Sequence, residues 1–224
     1  MTQEQWDAMD EFLTSRLLTP DPVLDAALAS STAAGLPPIH VAPNQGKLLH
    51  LLAKLRGARR ILEVGTLGGY STIWLARALP SGGRLISLEV NADNAAVARA
   101  NVERAGLSGA VSIVIGAAAQ TLEKFVTDGV EPFEMIFLDA DKKSYPEYLR
   151  LSLQLSLPGT LIVGDNVIRG GRIADLHSTD PDVTGLHEYF RLLATNPQLD
   201  STAVQTVGVK GWDGFSMSIV SGQR

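Results

Sequence analysis

Five short apolar runs, separated by stretches of helical periodicity, set the tightest limit on how this chain can fold. They are RRILEV (59–64), RLISLEV (84–90), VSIVI (111–115), FEMIFLD (133–139) and GTLIVGD (159–165). The first, second, third and fifth are almost continuously apolar, as strands buried on both faces should be. Between the runs lie YSTIWLARAL, NADNAAVARANVERAG, AQTLEKFV and YPEYLRLSLQL, whose apolar residues recur at helical spacing. Asn91 and Gly106 read as the start and stop of the second helix. Alternation of strand and helix predicts a parallel sheet covered on both faces. The C-terminal runs STAVQTVGV (201–209) and GFSMSIV (214–220) are separated only by KGWD, too short for a crossover helix. They predict an antiparallel hairpin, giving seven strands in all. The first 57 or so residues read as helices joined by the proline-rich GLPPIHVAP. No repeat or linker divides the 224 residues, so 1–224 is expected to be one domain with residues 1–57 as a helical extension and lid.

Bulk properties narrow the function. A 45% hydrophobic, 19% charged composition is that of a globular chain. A net charge of −5 argues against a nucleic-acid partner. The absence of cysteine removes disulfides, thiolate metal sites and a cysteine nucleophile. The acidic N-terminus lacks the pattern of a signal peptide, and no apolar stretch approaches a membrane span. The expectation is a soluble cytoplasmic protein.

Chemistry in an open parallel sheet sits beyond the carboxyl ends of its strands. Here those ends carry Glu63, Glu89, Asp139, and Asp165 with Asn166. Four carboxylates along one edge would repel one another unless a cation joins them. Gly65, Gly68 and Gly69 after the first strand let a ligand approach the backbone, but their G-x-x-G-G spacing is not the dinucleotide fingerprint. Glu63 would repel a pyrophosphate and welcome an ammonium or sulfonium, and Glu89 is placed for a ribose diol. That pattern suits S-adenosylmethionine, with its adenine toward GAAA (116–119). A tight turn flanked by solvated strand ends accounts for either feature taken alone. Asp139, Asp165 and Asn166 offer three oxygens suited to a hard ion, Mg²⁺ or else Ca²⁺ or Mn²⁺, and zinc is disfavoured. The competing reading makes Asp165 and Asn166 turn caps and pairs Asp139 with Lys142.

Taken in order, ILEVGTLGGYS, LISLEVNAD, GAAAQTL, FLDADKKSY and GTLIVGDNVIRGG resemble the metal-dependent class I O-methyltransferases, the group of catechol and caffeoyl-coenzyme A O-methyltransferases. The likeness runs from IHVAPNQGKLL to GDNVIRGG and returns at WDGFSMSIV. It implies a Rossmann-like, seven-stranded, mostly parallel α/β sheet ending in an antiparallel hairpin, with helices on both faces and extra N-terminal helices. It implies that Asp139, Asp165 and Asn166 hold the metal and that Lys142 is the catalytic lysine beside Asp139. It implies cofactor contacts at Val41, Glu63, Gly65, Thr66, Gly69, Tyr70, Ser71, Glu89, Ala118 and Asp139. His40, Asp139, Lys142, Asn166 and Trp212 would meet the acceptor, a catechol-like phenol, and the protein would be a homodimer. Where the animal catechol enzyme has an aromatic residue before the lysine, this chain has Asp141, which points toward the plant and bacterial branch. Ala117 and Ala118 leave adenine with backbone and apolar contacts. His177 and His187 are expected on solvated helices, Trp6 and Phe12 in a core or an interface, Trp212 in the hairpin turn, and RGGR (169–172) in a mobile loop. The competing functions are a nicotinamide-dependent oxidoreductase on the same type of sheet, sharing Glu89, and a non-catalytic cofactor-binding module.

Overall fold

The computed structural model describes residues 2–222. Its sheet contains β1 (Arg60–Val64), β2 (Arg84–Glu89), β3 (Val111–Ile115), β4 (Phe133–Leu138), β5 (Ser156–Asp165), β6 (Leu199–Gly208) and β7 (Gly211–Val220). The spatial order is β3-β2-β1-β4-β5-β7-β6. The first five strands are parallel, and β7 runs antiparallel between β5 and β6. The order reverses between β1 and β4, which opens a crevice at their carboxyl ends, where ligands bind in open α/β sheets.

Alternate residues of each strand face opposite sides, so the sheet makes two cores. On one side Ile61, Leu85, Met135, Phe137 and Val163 pack beneath α2 (Pro22–Ala33), α3 (Pro43–Arg56) and α4 (Tyr70–Ala76). The other side, with Leu62, Val64, Ile136, Leu138 and Ile162, lies under α6 (Ala118–Thr127), α7 (Tyr145–Gln154) and α8 (Pro181–Thr195). Local chemistry sets several boundaries. The Asn91 side chain accepts from the Asp93 and Asn94 amides and so starts α5 (Ala92–Arg104), and left-handed Gly106 follows its end. Asp21 caps α2 in the same way, with Pro22 at the first helical position, where its missing N–H costs nothing.

Three expectations need correction. β3 is only partly buried, because it is the sheet edge and has β2 alone as a neighbour. The hairpin turn is Val209–Lys210, so Trp212 and Asp213 belong to β7 and not to a turn. Of the two places expected for Phe12, core or interface, the core is excluded. α1 (Gln3–Leu17) packs against β6 and α3 through buried Asp10 and leaves Phe12 exposed. Among the described residues no helix is long and apolar enough to cross a membrane.

Candidate active site

A cavity of about 1070 Å³ lies over the carboxyl ends of β1, β2, β4 and β5. The Gly65–Gly68 turn and Glu89 form one wall, Ala117 and Ala118 another, and Asp139, Lys142, Asp165 and Asn166 a third. The connector before α3 adds His40 and Val41 to the lining. The described non-glycine residues with positive φ, Leu67, Asn166 and Arg169, all line this cavity. Strained backbone concentrated at one place is what a functional site stores.

The turn after β1 requires glycine. Gly65 has φ +102°, and a Cβ there would overlap the Asp139 carbonyl oxygen. The turn is thereby pressed against the end of β4, where the Asp139 amide donates to Val64 O at 2.8 Å. Thr66 Oγ1 lies 2.5 Å from Ser87 Oγ and 3.1 Å from Leu88 O, which pins the turn to β2. Glu89 is buried, and its two oxygens accept from the Leu67 amide at 2.8 Å and the Asn91 amide at 2.9 Å. Such a carboxylate is rigid and keeps lone pairs for a ligand's hydroxyls.

Glu63 does not line the cavity, so of the four strand-end carboxylates only Glu89, Asp139 and Asp165 do. Residues 61 and 63 share the strand face beneath α4, and this turns Glu63 inward, with no exposed surface. It accepts from Ser71 Oγ at 2.6 Å, Thr72 Oγ1 at 2.5 Å and Ser87 Oγ at 2.6 Å. Burial pushes its carboxyl up to about 7, against these hydrogen bonds and with help from Asp139. Three hydroxyls, and not a bound cation, answer its charge. Gly69 also lies outside the lining; it starts α4 at φ +83° and lets that helix pack on Ala98 of α5. Ser71 and buried Tyr70 reach the cavity, and the Tyr70 ring meets His40 edge-on at 5.4 Å.

At the far wall, Lys142 begins a 3-10 turn, Lys142–Ser144, and is almost fully buried. Its Nζ donates to Asp139 Oδ1 and to Tyr145 Oη, both at 3.0 Å. Burial and the Asp139 carboxylate raise the Asp165 carboxyl, while Lys142 and Gln45 oppose the rise. Asn166, at φ +53°, follows directly, and its amide donates to Asp165 Oδ1 at 2.8 Å. Among the described residues no group of three or more His, Cys, Asp and Glu is spaced for a metal. The donor set here is two carboxylates and an amide, whose hard oxygens fit a hard dication and would relieve the repulsion between Asp139 and Asp165.

Trp212 does not line the cavity; its ring covers Gly171 and its indole N–H donates to Gln205 Oε1 at 3.1 Å. His40 does line it, and burial and the cationic Lys210, 3.5 Å from its Nε2, hold its imidazole below its usual range. His177 sits in an exposed loop and not on a helix, and His187 Nε2 lies 2.9 Å from Ile173 O. The stretch 169–172 is tied down: Arg169 pairs with Asp182 at 3.4 Å, and Asp213 accepts from the Ile168 and Arg169 amides. Sequence reasoning missed Gln45, Tyr145 and Lys210. Only Tyr145, three residues after Lys142, gave a usable signal.

The O-methyltransferase family model matches residues 20–215. The chain belongs to the O-methyltransferase family. A catechol O-methyltransferase of Niastella koreensis is 50% identical over 220 residues, covering 98% of this chain and all of that one. The structure of the O-methyltransferase from Bacillus cereus in complex with SAH superposes with a TM-score of 0.97 at 47% identity, over 98% of this chain and 100% of that one. The O-methyltransferase TomG from Streptomyces achromogenes, involved in tomaymycin synthesis and solved with SAM, gives 0.96 at 43% identity, over 99% and 100%. Membership of the O-methyltransferase family settles the fold class and the enzyme class, and leaves the oxidoreductase and non-catalytic readings without support.

Proposed function

We propose that this O-methyltransferase takes its methyl group from S-adenosylmethionine, requires a divalent cation, and acts on a phenol bearing two neighbouring hydroxyls. The observation that carries this reading is the meeting of Lys142, Asp139, Asp165 and Asn166 in one cavity with Glu89 and the Gly65 turn. Residues 1–224 act as one domain, and residues 1–57 supply the helical extension whose connector closes the mouth.

Val41, Gly65, Thr66 and Ser71 would receive the amino-acid end of the cofactor, Glu89 its ribose and Ala118 its adenine, while Glu63 acts from behind by fixing Ser71. Asp139, Asp165 and Asn166 would hold Mg²⁺, Ca²⁺ or Mn²⁺. A dication bound there would supply Lewis-acid polarisation of the acceptor's phenolic hydroxyls. Lys142 Nζ, held by Asp139 and Tyr145, presents its positive charge to the acceptor oxygen and favours the phenolate over a phenol of ordinary pKa near 10. The phenolate oxygen forms the new bond to the methyl carbon as the sulfur–carbon bond breaks, leaving a neutral thioether. Opposite charges vanish in that step, so the buried walls of the cavity favour it. His40 and Tyr70 orient the acceptor from the mouth.

Titration of S-adenosylmethionine into the protein, with Mg²⁺ or chelator and with or without 3,4-dihydroxybenzoate, tests the reading. Cofactor binding together with metal-dependent binding of the diol is the expected result, and Lys142→Ala should lower kcat by roughly 100-fold or more. Methyl transfer that persists in excess chelator would remove the metal from the scheme. Full turnover by Lys142→Ala would remove the lysine.

A further inference from the structure

We propose that Tyr145 is a positioning residue for methyl transfer, its buried hydroxyl locking Lys142 and the ends of β4 and β5 into one rigid unit. Tyr145 has no exposed surface and does not line the cavity. Its hydroxyl donates toward two carbonyl oxygens, Leu138 O at 2.6 Å and Asp165 O at 2.8 Å. Leu138 precedes Asp139, and Asp165 ends β5, so one side chain spans the two strand ends that carry the acidic wall. A hydroxyl has one proton and two lone pairs. With the proton shared between the carbonyls, a lone pair faces Lys142 Nζ at 3.0 Å. That nitrogen also lies 4.8 Å from the centre of the Tyr145 ring. The ammonium is therefore held from two sides, by Asp139 in the cavity and by Tyr145 beneath it.

The ring is itself fixed. Tyr148 lies 6.4 Å away and Tyr189 5.2 Å away, centre to centre. Tyr189 offers a built-in control. It is equally buried in the same cluster, but its hydroxyl meets Ser216 Oγ at 2.9 Å, away from Lys142. Losing either hydroxyl removes one buried polar group from the same core. Only the loss at Tyr145 releases Lys142.

The inference rests on Lys142 being the group that faces the acceptor, and the tests separate the two. Wild-type turnover with Mg²⁺ and 3,4-dihydroxybenzoate, and its loss in Lys142→Ala, test that reading first; absence of either overturns it before Tyr145 is judged. Tyr145→Phe is then compared with Tyr189→Phe, each corrected for the competent fraction by calorimetric titration with S-adenosylmethionine. The expected result is a fall in kcat of roughly 10- to 100-fold for Tyr145→Phe, with the cofactor Kd within twofold of wild type and kcat for Tyr189→Phe within twofold. In the Lys142→Ala background, Tyr145→Phe should cost nothing further. Equal losses from the two phenylalanine variants, or a full additional loss in the Lys142→Ala background, would reduce Tyr145 to a packing residue and overturn the proposal. If Tyr145→Phe does not fold, p-aminophenylalanine at position 145 replaces it. Its amine can donate to both carbonyls but accepts poorly from an ammonium. A low kcat in that folded variant supports the proposal, and wild-type kcat overturns it.

Discussion

Glu63 shows how a strand-end carboxylate can serve a site it never touches. Its carboxyl sits at about 7 in the fold against an ordinary 4.5. The folded chain thus holds a proton across that window that the unfolded chain has released. Stability is highest below the unfolded value, falls as pH rises from about 4.5 to about 7, and levels off above. Glu63→Gln cannot ionise. Relative to the native chain, it should gain stability between pH 5 and pH 8, by at most about 3 kcal/mol. Urea unfolding of both proteins at the two pH values decides this, and a difference that does not move with pH would contradict it. The clustering of residues at the ends of β4 and β5 was legible in the sequence, because two apolar runs each end in acceptor oxygens. So was the pairing of Asp139 with Lys142, which the structure shows at 3.0 Å. The inward turn of Glu63 was not, because its partners come from positions 71, 72 and 87 and only the fold assembles them.

At the scale of elements, α8 and the Lys142–Ser144 turn depend on a single missing side chain. A Cβ at Gly185 would stand 2.6 Å from both Lys142 O and Lys143 Cα. Backbone cannot yield as a flexible side chain can. Gly185→Ala should therefore push α8 off the turn, cost roughly 1–3 kcal/mol, and lower kcat more than it weakens cofactor binding. Thermal melting with steady-state kinetics checks this, and an alanine variant with native melting and native kcat would show that the helix has slack. The alternation of strands and helices was readable because period-2 and period-3.6 patterns differ strongly over these lengths. The misreadings fall where local composition and sheet position disagree. KGWD looks like a turn because it holds glycine and aspartate, yet a two-residue turn at Val209–Lys210 lets Trp212 and Asp213 pair with β6. VSIVI looks like a central strand, and nothing local marks it as an edge.

Across the whole molecule, residues far apart in the chain hold the connector that lines the cavity. Buried Asp10 on α1 accepts from the Val209 amide at 2.9 Å and from Asn44 Nδ2 at 2.8 Å. Gln3 Nε2 donates to Gly208 O at 2.9 Å, and Lys210 reaches Pro38 O at 2.9 Å beside His40. Asp10→Ala leaves the Val209 amide without its acceptor and should cost roughly 1–3 kcal/mol. It should also raise the acceptor KM, because Lys210 and the connector that carries His40 lose part of their support. An unchanged urea midpoint would mean that water replaces the carboxylate without loss. The position of β7 has a consequence for how the protein is made. Translation delivers β5 and β6 before β7, yet β7 lies between them and pairs Phe215 with Asp165. Until that last strand leaves the ribosome, β5 keeps a bare hydrogen-bonding edge and β6 has no sheet to join. Ribosomes that stall before β7 should release chains that are both inactive and prone to aggregate, so the catalytic wall and its protection against misassembly are completed in the same event.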